Sequence, residues 1–165
     1  MPIKMKEMEM ANRQFMAEAI AQSLLGVRSR KGGPFGAAIA KNGELIAKAH
    51  NQVTSTNDPT AHAEIIAIRR ACQVLQTFEL KGCALYTSCE PCPMCLGAIY
   101  WARLDRVYYA NTKADAAEIG FDDGFINDEL KLPQPDRQLP MIQMMREEAI
   151  SAFEEWIRLP DKVEY

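Results

Sequence analysis

The sequence lacks the features that mark membrane proteins, secreted proteins and nucleic-acid-binding proteins. Its 165 residues contain no apolar run long enough to span a bilayer. The N-terminal segment lacks the apolar stretch and the cleavage site of a signal peptide, so a cytoplasmic location is expected. The formal net charge of −3 disfavours DNA or RNA as partners, because their binding depends on Lys and Arg side chains neutralising phosphates. We therefore expect neither a membrane nor a nucleic acid as partner.

Histidine is scarce, and the cysteines do not form a disulfide pattern. His50 and His62 are the only two histidines, so a histidine ligand has few candidates. The cysteine count is odd, at five, and three cysteines lie within the seven residues from Cys89 to Cys95. In a cytosolic chain, such a cluster more often binds metal or performs redox chemistry. The remaining two cysteines are expected to be buried apolar fillers.

The chain has the length of one domain and contains no repeat or linker that would divide it. We predict one domain over residues 1–165, with residues 1–10 as a flexible extension and residues 147–165 as a C-terminal helix and tail. Apolar periodicity and turn residues predict helices over 12–27, 61–75, 93–102, 112–120 and 147–159. The same signals predict strands over 35–41, 44–51, 84–88, 106–110 and 141–145.

The order of these predicted elements indicates the fold class. A helix and a β-hairpin, which turns at Asn42-Gly43, are followed by alternating helices and strands. This order predicts an α/β protein: a three-layer α/β/α sandwich around a mixed five-stranded sheet. Two of the predicted helices begin directly after a turn or a strand, at about Ala61 and at Pro93. Helix N-termini carry unpaired N–H groups and partial positive charge, so they favour anionic groups.

Two short motifs fall at those two helix starts and together predict a metal site. The first is His62-Ala63-Glu64, and the second is Pro91-Cys92-Pro93-Met94-Cys95. Cys92 and Cys95 are three positions apart, which places both sulfurs on one side of a helix. His62 would complete a set of three N and S ligands, which suits zinc and leaves the fourth tetrahedral position open. An open position distinguishes a catalytic zinc site from a structural one.

Glu64 lies two residues after His62 and need not be a ligand. A carboxylate beside a water molecule on a metal can take its proton and return it to a leaving amine. The motifs therefore predict a Lewis acid, a nucleophile and a proton carrier in one site.

Other interpretations of these motifs are available. A lone Cys-x-x-Cys is also typical of a redox pair or of half a structural zinc site, and Cys89 is a candidate fourth ligand. A second cysteine pair separate from this cluster, which would point to a structural site, does not occur in the sequence. A zinc-stabilised interaction domain without enzymatic activity is a further alternative. It would have no need of a carboxylate beside the metal.

The combination H-x-E followed by P-C-x-x-C resembles the signature of the zinc-dependent nucleoside and nucleobase deaminases. The resemblance extends from Phe35 through the C-terminal helix. It implies the cytidine-deaminase-like fold, one zinc ion held by His62, Cys92 and Cys95, and Glu64 as the proton carrier. It also implies a homo-oligomer, most simply a homodimer.

Within this family, several stretches are similar to members that deaminate free guanine to xanthine and ammonia: residues 32–37, 57–64, 86–102, 116–123 and 162–165. The resemblance implies that Asp123 and Asn51 contact the substrate, although each alone could equally be a turn residue. Phe35 and Trp101 are predicted walls for a flat base, with a core position as the alternative. The terminal Tyr165 is expected to close a pocket, either its own or that of a neighbouring subunit.

Guanine also fits the chemistry of these residues. Its N1–H and 2-amino groups are donors that one carboxylate can accept, whereas adenine has an acceptor at N1. The alternatives are tRNA adenosine deaminase, which has a Thr-Gly-Ala-Ala-Gly-Ser loop where this chain has residues 116–120, and cytosine deaminase. Ammeline would require the same zinc chemistry, so the motifs alone do not fix the base.

Overall fold

The structure is a computed structural model that describes residues 3–165, with only the backbone described for residues 3–8 and 11. Helices and strands follow one another in this order: α1 (Ile3–Arg28), β1 (Gly36–Lys41), β2 (Glu44–His50), α2 (Val53–Thr56), α3 (Ala63–Leu75), β3 (Cys83–Cys89), α4 (Pro93–Trp101), β4 (Arg106–Asn111), α5 (Lys113–Glu118), α6 (Gly124–Lys131) and α7 (Arg146–Arg158). A short 3-10 turn, Gln134–Asp136, precedes α7. None of the described helices is long and apolar enough to cross a membrane.

The four strands form one mixed sheet in the order β2-β1-β3-β4. Strand β1 pairs antiparallel with β2 and with β3, while β3 pairs parallel with β4. The β1–β2 hairpin turns at Asn42 and Gly43, whose φ angles of 52° and 83° are those of the predicted tight turn. The prediction of an α/β fold with a mixed sheet is therefore confirmed.

The predicted fifth strand over residues 141–145 is wrong. This segment has no strand structure, its residues are exposed, and it pairs with no strand in the described part of the chain. A strand exists only where its backbone groups find a partner. Pro133, Pro135 and Pro140 come shortly before the segment, and its apolar residues do not alternate with polar ones as a half-buried strand requires.

The helical boundaries also differ from those predicted at two places. Helix α1 begins at Ile3 rather than near Asn12, because the Met-, Lys- and Glu-rich residues before Asn12 are themselves good helix formers. Met1 and Pro2 of the predicted extension lie outside the described residues. Helix α6 lies between residues 121 and 140, where the sequence predicts neither a helix nor a strand.

Two hydrophobic clusters fill the space on the two faces of the sheet. Phe15 and Ala19 of α1 pack with Ala38, Ala40 and Tyr86 on one face. The other face packs against α3 and α4 and is rich in alanine. The α3 alanines at 63, 67 and 71 are fully buried, spaced four residues apart on one side of the helix. Small side chains in this stripe let α3 approach the sheet closely.

The chain divides into two compact units, of which the first ends at Asp123 and the second comprises Gly124–Tyr165. The first unit contains the sheet and both predicted metal motifs. The second contains α6 and α7, and none of its residues is buried.

Helix α1 contacts β1 backbone to backbone at Gly36. A Cβ at this position would lie 2.2 Å from the Ala19 carbonyl oxygen and 2.4 Å from the Ser23 nitrogen, both in α1. Because backbone atoms cannot move aside cheaply, Gly36→Ala should lower the free energy of unfolding by about 2–4 kcal/mol.

The matched control is Gly43→Ala, where a Cβ meets nothing within 4 Å and only the positive φ is strained. This variant should lose about 1 kcal/mol of the free energy of unfolding. Urea unfolding measures the free energy of unfolding of both variants. Equal losses of this free energy in the two variants would show that α1 does not limit the space at Gly36.

Candidate metal centre and substrate pocket

The two motifs meet because α3 and α4 begin side by side. His62 is the N-cap of α3 and Cys92 is the N-cap of α4, both with extended backbone dihedral angles. Pro93 occupies the first turn of α4, where its missing N–H has no helical partner to lose. Cys95 follows in the same turn and is fully buried. The local sequence therefore points three ligand side chains into the space between two helix N-termini.

The three ligand atoms are spaced as a tetrahedral zinc ion requires. The Nδ1 atom of His62 lies 3.6 Å from Cys92 Sγ and 3.5 Å from Cys95 Sγ. All three ligand atoms lie within 4.8 Å of one another. Two ligands at the usual zinc–nitrogen and zinc–sulfur distances are roughly 3.6 Å apart in a tetrahedron. The donor set and its spacing thus fit zinc, and His62, Cys92 and Cys95 are the residues that could hold it.

The charges at this site favour metal binding. Hydrogen bonds from Cys95 and His62 lower the pKa of the Cys92 thiol to about 4, despite its burial. The hydrogen bond with Cys92 raises the pKa of His62. A thiolate is therefore already favoured at Cys92, and thiolate is the form that ligates zinc.

Glu64 lies in the first turn of α3 with a side chain that is buried beside the ligands. Its Oε1 accepts a hydrogen bond from the Thr87 hydroxyl at 3.2 Å, and its Oε2 lies 3.6 Å from Cys95 Sγ. Burial raises the pKa of Glu64. A carboxyl group of raised pKa next to a metal site can both take up and release a proton near neutral pH.

Asn51 follows β2 and is buried, with an amide of fixed orientation. Its Oδ1 accepts hydrogen bonds from the backbone N–H groups of Gly33, at 3.2 Å, and Val53, at 3.1 Å. Because the oxygen is occupied by these two donors, the amide presents its NH2 group on the opposite side. Asn51 can therefore donate to an acceptor on a ligand.

A ring contact that the sequence did not predict joins Phe35 to Phe121, which lies two residues before Asp123. The ring of Phe35 meets that of Phe121 edge to face, with centroids 4.9 Å apart. Phe121 precedes Asp122 and Asp123, so the contact holds this acidic loop next to the start of β1. Burial raises the pKa of the Asp123 carboxyl, and the charge of Cys92 raises it further, whereas Lys113 opposes the shift. Asp123 is thus electrostatically coupled to the metal site.

Trp101 and Tyr165 are both largely exposed. Trp101 ends α4, nine residues after Cys92, and 65% of its surface is exposed. Tyr165 is the last residue of the second unit and is 72% exposed. Cys89, the candidate fourth ligand, instead donates a hydrogen bond to the carbonyl of Thr112 at 3.4 Å.

Sequence reasoning missed two residues of the site, Thr87 and Phe121. Strand alternation gives the signal for Thr87, because its neighbour Tyr86 faces the α1 side and Thr87 must then face the metal side. No local pattern indicates Phe121, since its contact with Phe35 joins residues distant in sequence.

The fold and the His-Cys-Cys centre define a zinc-binding deaminase domain. Residues 9–111 match the family model of the cytidine and deoxycytidylate deaminase zinc-binding region, and the chain belongs to this family. The chain is 51% identical, over 94% of its length and 100% of the relative's, to a guanine deaminase of Bacillus subtilis (strain 168).

Other comparisons agree on the family but cover different shares of the chain. A crystal structure of guanine deaminase from Bacillus subtilis superposes with a TM-score of 0.89 at 52% identity, and the match covers 93% of this chain and 98% of that one. A tRNA-specific adenosine deaminase of Agrobacterium fabrum (strain C58 / ATCC 33970) is 40% identical over 67% of this chain and 74% of its own. The similarity to the guanine deaminase thus includes the C-terminal region.

Gly32 fixes the position of Asn51 by direct contact. A Cβ on Gly32 would lie 2.4 Å from both the backbone oxygen and the Oδ1 of Asn51. Gly32→Ala should therefore displace the amide and raise the KM for the substrate by about 10-fold or more, while zinc remains bound.

Steady-state kinetics and zinc analysis by atomic absorption test this expectation for Gly32. Asn51→Ala is the matched variant, because it removes the same amide directly. A KM unchanged by Gly32→Ala but raised by Asn51→Ala would contradict the role assigned to the glycine.

Proposed function

We propose that this protein hydrolyses guanine to xanthine and ammonia, with Glu64, His62, Cys92 and Cys95 as the catalytic and metal-binding residues. The observation that carries the proposal is the buried carboxylate of Glu64 beside the ligand set of His62, Cys92 and Cys95. The oriented Asn51 amide and the acidic loop at Asp123 supply polar groups for a base. The near-complete similarity to a guanine deaminase supports the same substrate.

The pocket groups complement the edges of guanine. The Asn51 NH2 group suits a ring nitrogen or carbonyl acceptor, and the Asp123 carboxylate suits the N1–H and 2-amino donors. Phe35 supplies an apolar wall for the flat base. Trp101 and Tyr165 remain candidate contacts of the base.

The reaction needs an activated water molecule, a proton carrier and a nucleobase held in place. Bound zinc supplies the Lewis acid that makes water nucleophilic at neutral pH. Glu64 takes the proton of the attacking water as a bond forms to C2 of guanine. Glu64 gives this proton to the adjacent ring nitrogen, then takes the remaining proton from the new C2 hydroxyl and passes it to the 2-amino group. The C2–N bond breaks as the C2 carbonyl forms, and ammonia leaves.

An alternative substrate is the adenosine of a tRNA, which related enzymes act on. The net charge of −3 and the sequence of residues 116–120 favour guanine over this alternative. Cytosine remains a third candidate with the same chemistry.

A panel of bases tests the substrate. The zinc-loaded protein is incubated separately with guanine, cytosine, adenine and guanosine, and ammonia release is measured. We expect release from guanine alone. Release from cytosine but not from guanine would contradict the substrate while leaving the class of reaction intact.

Glu64→Gln is the matched control for this panel, because the amide keeps the shape of the side chain but cannot carry the proton. We expect it to bind one zinc ion per chain and to lose at least about 100-fold in kcat.

We further propose that the chain acts as one deaminase domain per subunit of a homodimer, in which the tail closes a neighbour's pocket. The second unit supports this, because α7 exposes apolar side chains spaced along one helical face. Phe153 and Ile157 are each 67% exposed. Soluble monomers seldom leave such faces uncovered, and two-fold dimers are the commonest assembly. A reducing compartment such as the cytoplasm would suit the five free thiols.

Truncation of the tail tests the exchange. Deletion of residues 162–165 should lower kcat/KM by about 10-fold or more, because the pocket stays open to water. Zinc content should not change. Phe153→Asp should shift the sedimentation coefficient from dimer to monomer, whereas Glu154→Ala on the same helix should not. Full activity after the deletion would contradict the proposed closure.

A further inference from the structure

A buried hydrogen bond links the metal-side face of the sheet to the proton carrier. The Thr87 hydroxyl donates to Oε1 of Glu64 at 3.2 Å. Thr87 is 1% exposed and Glu64 is 5% exposed, so water does not compete for this contact. In such surroundings the low dielectric strengthens a hydrogen bond and so helps it to orient the accepting oxygen.

The contact gives the two carboxylate oxygens of Glu64 different partners. While Oε1 is held by Thr87, Oε2 lies 3.6 Å from Cys95 Sγ, on the side of the metal ligands. The carboxylate therefore has one anchored oxygen and one oxygen directed toward the reacting centre.

Thr87, which holds Oε1, belongs to a rigid part of the structure. Thr87 lies in the middle of the sheet, where it is paired with Ala37 of β1 on one side and Tyr109 of β4 on the other. Glu64, by contrast, has a side chain with several rotatable bonds. A proton carrier must lie within hydrogen-bond reach of the groups it serves, so a fixed anchor increases the fraction of time it is correctly placed.

We propose that Thr87 is a positioning residue that acts through Glu64: its hydroxyl selects the carboxylate orientation in which Oε2 faces the metal ligands. The inference deepens the proposed function, because it concerns the same proton transfer. It does not depend on which base is the substrate.

Thr87→Val tests the hydroxyl, because valine has nearly the same shape and lacks the donor. We expect kcat to fall by about 10–100-fold with KM within about 3-fold of the wild-type value. Thr87→Ser restores the hydroxyl and should return kcat to within about 3-fold of wild type. Thr87→Ala, which adds no atom, is made in parallel in case the valine variant does not fold.

Tyr86→Phe is the matched control from the adjacent position of β3. Tyr86 faces the opposite side of the sheet, where its hydroxyl donates to Asn12 Oδ1 at 2.6 Å. Loss of the Tyr86 hydroxyl should leave kcat unchanged, although the substitution removes a hydrogen bond from the same strand.

A readout independent of turnover is the crystal structure of the zinc-free valine variant. We expect the Glu64 carboxylate to be rotated or split between conformers, with Oε2 no longer within hydrogen-bond distance of Cys95 Sγ. In the serine variant, the carboxylate should keep the wild-type orientation.

Three results would overturn the proposal: a valine variant with wild-type kcat and an unmoved Glu64, a serine variant as slow as the valine variant, or loss of zinc from the variants. Failure of the guanine assignment gives a different result, because wild-type protein would then release no ammonia from guanine. The role of Thr87 would still be judged on any base that is deaminated and on the Glu64 orientation in the crystal.

Discussion

The convergence of two helix N-termini is the constraint on which the site depends. Helices α3 and α4 begin so close together that a histidine nitrogen lies 3.6 Å from one cysteine sulfur and 3.5 Å from another. Every other functional group is placed relative to this point. Glu64 belongs to the first turn of α3, and Thr87 reaches it from β3, the strand that leads into α4. A small shift between the two helices would therefore disturb metal binding and proton transfer together.

The substrate side of the site is built on different contacts. Asn51 accepts hydrogen bonds from the backbone N–H groups of Gly33 and Val53, and its place is free because position 32 is a glycine. The acidic loop is tied to the sheet by one aromatic pair, Phe35 and Phe121. The metal centre is thus fixed by secondary structure, whereas the proposed base-recognition groups are fixed by loops. Such a division would allow one type of metal centre to serve relatives as different as a guanine deaminase and a tRNA-specific adenosine deaminase.

The metal centre was predictable from the sequence because its residues lie in short motifs at helix starts, where turn residues and Pro93 mark the boundary. The four central strands were predictable for a similar reason, since their apolar runs are bounded by turn signals. The error over residues 141–145 has the opposite cause: a short apolar run does not reveal whether a partner strand is available. The contacts of Thr87 with Glu64 and of Phe35 with Phe121 join distant segments, and no local pattern encodes them.

The alanine stripe of α3 has a consequence for how such an enzyme can change over time. Ala63, Ala67 and Ala71 are fully buried against the sheet, so the helix that carries His62 lies at a spacing set by methyl groups. A larger side chain at any of these positions would move the histidine away from the two cysteines, and glycine is the only residue smaller than alanine. New substrate preferences are therefore expected to arise in the loops around Asn51 and Asp123, while the interior behind the metal stays invariant.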